Sequence, residues 1–140
     1  IKIENLGYLF MSNETEAIEM LKRYDSTHVL VFTTFDTNGN DAMFGDEGKW
    51  RWMARIAAEQ YPSINETEYM EYNNETGSWE WTLKGQNCTI YKLMTYGKET
   101  KLGRSPTVEL THFDLAYYSK GEAIGGQVYA LVCIYEVKYE

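Results

Sequence analysis

Cysteine and proline are scarce, two of each in 140 residues. A disulfide scaffold needs far denser cysteine, and a proline-rich linker cannot be built from two prolines. Long apolar runs are missing as well. Val29-Leu30-Val31-Phe32 and the stretch from Tyr129 to Tyr135 fall well short of the ~18 to 20 residues that cross hydrocarbon. Positive charge is in deficit, with 13 Lys and Arg against 21 Asp and Glu and a net charge of −8, which opposes phosphate-backbone binding and argues against a nucleic-acid partner. The two histidines, His28 and His112, have no paired spacing, so no zinc site is expected. There is no Gly-rich phosphate loop, no G-x-S-x-G and no context that activates a cysteine. The chain opens at Ile1 with neither an initiator methionine nor a signal-peptide profile, and reads as a piece of a longer protein.

What is present is aromatic area, 15% of residues, which has to be buried in a core. The length suits one domain over 1–140, with no linker or repeat to divide it. Ile3, Leu6, Leu9 and Phe10 sit at helical spacing, predicting a short helix over Ile3 to Met11. Asn13 with Glu16 has the form of an N-cap and its N3 partner, and Ala17, Ile18, Leu21 and Tyr24 continue as one apolar stripe. His28 to Phe35 is β-branched and aromatic without strong alternation, which predicts a central strand buried on both faces. Asp36 to Gly48 reads as loop, Lys49 to Gln60 as helix closed by Pro62, and Tyr61 to Thr76 as loop. Trp79, Trp81 and Leu83 alternate with polar residues, predicting a half-buried strand carrying two indoles on one face. Asn87 to Tyr96 reads as a helix stopped by Gly97. Phe113 to Ser119 and Val128 to Lys138 read as strands joined by a turn over Lys120 to Gly126. With helices around one strand in the first two thirds and strands at the end, the fold class is α+β.

Asp46, Lys49 and Met53 stand at i, i+3 and i+7, one face if the segment is helical throughout. An acid in the first turn suits the helix dipole and is placed to pair with Lys49. On spacing alone the favoured reading is an N-terminal acid, a surface ion pair and a core methionine, and spacing does not identify a site.

The residues around this segment carry a resemblance. Ser12-Asn13-Glu14-Thr15-Glu16-Ala17, the helix ending in Tyr24-Asp25, His28-Val29-Leu30-Val31, the Gly-rich loop and Asp46 to Ile56 resemble, in order and spacing, the C-terminal globular region of the oligosaccharyltransferase catalytic subunit, most closely the archaeal kind. Trp52-Met53-Ala54-Arg55-Ile56 is similar to the family's Trp-Met-x-Arg-Ile, and Asp46, Lys49 and Met53 meet its DxxKxxx(M/I) motif in full. Tyr91-Lys92-Leu93-Met94, Phe113-Asp114-Leu115 and Ile134-Tyr135-Glu136-Val137 are weaker matches, and 62–88 shows none.

The resemblance implies a glycosyltransferase that moves a lipid-linked oligosaccharide onto the Asn of Asn-x-Ser/Thr acceptors, the reaction of protein N-glycosylation. It implies Mg2+ or Mn2+ bound by a membrane-embedded part, and a Trp-Trp-Asp motif for the acceptor hydroxyl. That motif does not occur here, since Trp50-Arg51-Trp52 and Trp79-Glu80-Trp81 both depart from it. The chain is then expected to be a soluble, monomeric extracytoplasmic domain on the outer face of the cell membrane, inactive alone and holding one wall of the acceptor pocket. In that wall Met53 contacts the acceptor Ser or Thr, Lys49 lies close to it, and Asp46 fixes the turn that presents them.

Two further patterns stand apart. Asn-x-Ser/Thr triplets occur at Asn13, Asn65, Asn74 and Asn87, and each also reads as a cap or turn. Asn13 and Asn87 lie at predicted helix starts, whereas Asn65 and Asn74 lie in a polar loop and are the better candidates for modification. Asp36, Asn38, Asn40 and Glu47 occupy positions 1, 3, 5 and 12 of a calcium-loop pattern. Position 6 is Asp41 where the pattern needs glycine, and the preceding segment reads as strand, which excludes an EF-hand. The alternative function is therefore a small extracellular calcium-dependent binding domain with a looser loop. Cys88 and Cys133 allow one bridge at most, and Cys133 in its apolar run reads as a small hydrophobe.

Overall fold

Two helices open the chain where the apolar spacing predicts them, α1 (Ile3–Met11) and α2 (Glu14–Arg23). The Asn13 side chain accepts from the Glu16 N–H at 2.9 Å, so the N-cap is formed as read. Glu14 and Glu16 stand in the first turn of α2 and Lys22 and Arg23 in the last, each sign at the dipole end that favours it. The computed structural model describes residues 1–120, 123–124 and 127–139.

After β1 (His28–Asp36) come a 3-10 turn at Asp46–Gly48, α3 (Trp50–Ala58) and a second 3-10 turn at Glu66–Glu68. A hairpin of β2 (Met70–Asn73) and β3 (Ser78–Trp81), then α4 (Leu83–Gln86) and α5 (Thr89–Lys101), follow. The chain closes on β4 (Phe113–Tyr118), β5 (Ala123–Ile124) and β6 (Val128–Val137), an α+β arrangement as expected. The turn read over Lys120 to Gly126 lies largely outside the described residues.

In the main sheet β6 is central. It pairs with β1 on one side, from His28↔Glu136 to Asp36↔Val128, and with β4 and β5 on the other, all antiparallel. The expectation of a central first strand is corrected: β1 is an edge strand. Nor is it buried on both faces, since Leu30 is 58% exposed, and edge position is decided by which strand takes the backbone hydrogen bonds, which an apolar run does not report. Val29, Val31 and Thr33 stand opposite Tyr135, Cys133 and Leu131, and all six are buried on one face.

Helix α5 covers that face, and it is longer than its sequence predicts. Gly97 lies inside it because the helix approaches the sheet so closely there that a Cβ would collide with Cys133 Sγ. The Tyr135 hydroxyl donates to the Leu93 carbonyl at 2.5 Å in the same contact. Truncating the fully buried Leu93 to alanine is expected to cost about 2 to 5 kcal/mol.

The hairpin is the other departure. The polar composition of Met-Glu-Tyr-Asn predicts a loop, yet Met70 pairs with Trp81 and Tyr72 with Trp79 in β2 and β3. The two indoles part company: Trp81 packs against Trp50 and Tyr91 with ring centroids 4.9 and 5.1 Å away, whereas Trp79 is 58% exposed.

Candidate functional site

The outer edge of β1 presents backbone groups that need partners, and the loop that follows supplies them. Phe32 N–H donates to Asp46 Oδ2 at 2.9 Å, Thr34 N–H to Glu47 Oε1 at 3.1 Å and Asp36 N–H to the Asn40 carbonyl at 2.9 Å. In return the Thr34 carbonyl accepts from Ala42 N–H at 3.0 Å. A loop that satisfies alternate amides in this way also blunts the edge against pairing with another chain.

Glu47 is the anchor of this loop. Only 3% exposed, it accepts from the N–H groups of Thr34, Met43 (2.9 Å) and Gly45 (3.3 Å) and from the hydroxyls of Thr33 and Thr34. None of these donors is a cation; all are neutral backbone amides and hydroxyls. Gly45 is required by the crowding: a Cβ there would stand 2.6 Å from Glu47 Oε1 and 2.7 Å from the Phe32 carbonyl. Sequence reasoning found Glu47 only as position 12 of a calcium pattern; its strand partners Thr33 and Thr34, 14 and 13 residues back, leave no local signal.

Asp46 and Lys49 do not lie in one continuous helix with Met53. Asp46 is in the 3-10 turn, Lys49 is the N-cap of α3, and Met53 lies in the first turns of α3. The Lys49 N–H bonds the Asp46 carbonyl at 3.0 Å, which joins turn to helix. The expected Asp46 and Lys49 ion pair is not among those formed by the described residues; the Asp46 carboxylate turns to Phe32 instead, and the exposed Lys49 is left without an ionic partner. Burial pushes the Asp46 carboxyl above its ordinary value, opposed by the Phe32 N–H and by the charge of Lys49. Met53 is half-buried, and its backbone is set by α1: a Cβ on Gly7 would stand 2.5 Å from the Met53 carbonyl oxygen. Around the segment, Met43, Phe44 and Trp52 are each at least 60% exposed, an apolar rim beside a lysine. A hollow of about 560 Å3 bounded by Arg51, Glu66, Met70 and Trp79 includes α3 but neither Lys49 nor Met53.

Of the remaining calcium-pattern residues, Asp36 has its carboxylate tied to protein donors. Asp36 accepts from the N–H groups of Asn38 and Asn40, both at 2.9 Å, and from Asn40 Nδ2 at 3.1 Å. The Asn40 amide is the main cause that holds the Asp36 carboxyl below its ordinary value. Among the described residues no three His, Cys, Asp or Glu side chains come together as a group that could hold a metal ion. Cys88 and Cys133 are both buried and unbridged, and burial pushes each thiol up to about 12.

No family model matches the chain. Its sequence is 30% identical over 97% of its length to the dolichyl-diphosphooligosaccharide--protein glycosyltransferase subunit STT3B of Oryza sativa subsp. japonica, and 28% identical over 97% to STT3B of Arabidopsis thaliana. It is 33% identical over 70% of its length to subunit stt-3 of Caenorhabditis elegans. These alignments cover 20%, 19% and 13% of the respective relatives, so the chain spans about one fifth or less of their length. The similarity to the plant subunits extends over more of the chain than the motif-bearing stretches do. All these relatives are eukaryotic and lend no support to the archaeal affinity read from the sequence. The resemblance that Asp46, Lys49 and Met53 brought into view is thereby shown: over nearly its whole length this chain is related to a fragment of the STT3 glycosyltransferase subunits.

Proposed function

We propose that this chain is the extracytoplasmic C-terminal domain of an oligosaccharyltransferase catalytic subunit, acting in protein N-glycosylation. In that role it supplies one wall of the pocket for the acceptor Ser or Thr and does no chemistry alone. The observation that carries the reading is the DxxKxxxM segment itself. Asp46 is pinned to the β1 edge by Phe32, so Lys49 leaves the N-terminus of α3 exposed and Met53 follows one turn later, half-open to solvent.

A methionine beside a threonine methyl is an apolar contact, and a lysine next to it is a donor for the acceptor's backbone or hydroxyl oxygen. The acceptor polypeptide would lie across this face. The lipid-linked oligosaccharide and the Mg2+ or Mn2+ would be held by the membrane-embedded part of the longer enzyme, which also supplies the rest of the pocket. Among the described residues no helix is long and apolar enough to cross a membrane, which is compatible with this division of labour. A single wall buries too little of a peptide to offset the freedom it loses, so the separate chain should bind acceptor weakly.

The test is kinetic. In the full-length enzyme Lys49→Ala should lower kcat/KM for an acceptor peptide by about tenfold or more, the loss of one hydrogen bond to a charged donor. The melting temperature of the domain should stay unchanged, because Lys49 is exposed and forms no ion pair among the described residues. Unchanged kcat/KM would remove Lys49 from the pocket. Glycan transfer by the 140-residue chain alone, given a lipid-linked donor and an acceptor peptide, would contradict the assignment of chemistry to the missing part.

A further inference from the structure

The four Asn-x-Thr triplets look alike in sequence, and the fold treats them differently. Modification of such a triplet needs a free Asn carboxamide, a reachable Thr hydroxyl and a backbone that fits into a catalytic cleft. At Asn87 the second requirement fails: Thr89 is fully buried and its hydroxyl donates to the Ser12 carbonyl at 2.8 Å. At Asn13 the third fails. Its middle residue, Glu14, is 4% exposed and binds Lys92 Nζ at 3.1 Å and the N–H groups of Thr111 (3.1 Å) and His112 (3.0 Å), so α2 would have to melt. At Asn65 the carboxamide oxygen already accepts from Thr67 N–H at 3.1 Å and Thr67 Oγ1 at 2.8 Å, and Glu66 is held by Arg55 at 2.6 Å.

Asn74 meets all three requirements. It heads the loop between β2 and β3, where Asn74, Glu75, Thr76 and Gly77 are all exposed. The turn is made by its neighbour: Asn73 Oδ1 accepts from Glu75 N–H at 2.9 Å and Thr76 N–H at 3.3 Å, and Gly77 closes the loop at φ +71°. The Asn74 side chain makes no hydrogen bond among the described residues, and Thr76 Oγ1 meets only Ser78 Oγ, at 2.9 Å.

We propose that Asn74 is the acceptor site that the folded chain offers to N-glycosylation. In the reaction Asn74 Nδ2 displaces the diphosphate from C1 of a polyprenyl-linked saccharide. The N–C1 bond forms, the C1–O bond breaks, polyprenyl diphosphate leaves and the Nδ2 proton passes through the enzyme's base to water. Occurrence in the cell rests on the extracytoplasmic placement proposed above, while the choice among the four triplets does not.

The experiment separates the two. The folded chain is incubated with a membrane fraction bearing oligosaccharyltransferase activity and a lipid-linked saccharide, beside short peptides spanning each triplet, and glycopeptides are mapped by mass spectrometry. Asn74 should be modified in the folded chain at a rate within about tenfold of its peptide. Asn87 should be modified at least about a hundredfold more slowly than its own peptide, the factor that ~2.7 kcal/mol of local opening imposes. Asn74→Gln and Thr76→Ala should each remove the glycan and Thr76→Ser should keep it, with circular dichroism confirming that all three variants fold. A folded chain left bare at Asn74 while the Asn74 peptide is modified overturns the proposal, as does equal modification of Asn87. Mapping the protein from its own cells is the second arm: modification in the incubation but not in the cell overturns the extracytoplasmic placement and leaves the choice of Asn74 standing.

Discussion

The loop at 36–48 and the hairpin loop at 73–77 are built from the same kinds of residue, Asn, Thr, Gly and acids, yet they are held in different ways. In the first, a buried carboxylate draws together three backbone amides and two hydroxyls from 33–45. In the second, one half-buried asparagine, Asn73, bonds two amides of its own turn. The bonds of Glu47 to Thr34 and Gly45 lie out of water, where a lost acceptor leaves donors that solvent cannot reach, whereas those of Asn73 are exposed. This difference makes the first loop a fixed support for Lys49 and Met53 and leaves the second free to enter another protein's cleft.

The largest effect should come from removing the anchor. Glu47→Ala is expected to cost about 3 kcal/mol or more in urea unfolding, since it strands the buried amides of Thr34 and Gly45. Asn73→Ala, the equivalent change in the hairpin, should cost less than about 1 kcal/mol because water replaces the lost acceptor. Equal costs would erase the distinction between the loops. Amide exchange should show the same contrast: Met43 and Gly45 should exchange at least about a hundredfold more slowly than Glu75 and Thr76, and Glu47→Ala should abolish the gap.

A smaller effect concerns pH. Burial raises the Asp46 carboxyl above its ordinary value of 3.8, so in the window just above that value the folded state binds more protons than the unfolded. Stability from this group is therefore full below pH 3.8 and is lost as pH rises through the folded pKa. Asp46→Asn keeps an acceptor for Phe32 N–H without the charge, so the stability of the wild type relative to this variant should fall as pH rises above 3.8. A difference that stays constant would show that burial does not raise the Asp46 carboxyl, and one that rises with pH would show that the Phe32 N–H and the charge of Lys49 outweigh burial.

Much of this was legible in the residues, and what was not has a common cause. α1 and the Asn13 cap follow from contacts three or four residues apart, and both form as read. The DxxKxxxM spacing was legible as a motif, but its support was not, because Asp46 bonds Phe32 14 residues earlier. The edge position of β1, the strand at Met70–Asn73 and the continuation of α5 through Gly97 depend likewise on partners distant in sequence, namely β6, β3 and Cys133. Periodicity registers the face that a residue presents, while edges, pairings and close approaches belong to the fold as a whole.

The claim at the centre of the account is that Met53 lines the acceptor pocket, and the most direct measurement is the Thr-to-Ser preference of the full-length enzyme. Threonine differs from serine there by one methyl, worth roughly 0.8 kcal/mol when buried, or about a fourfold preference in kcat/KM. Met53→Ala should bring that ratio towards one, lowering kcat/KM for Thr peptides more than for Ser peptides. A ratio left near four, with the variant domain melting at a lower temperature, would make Met53 a packing residue and contradict the account.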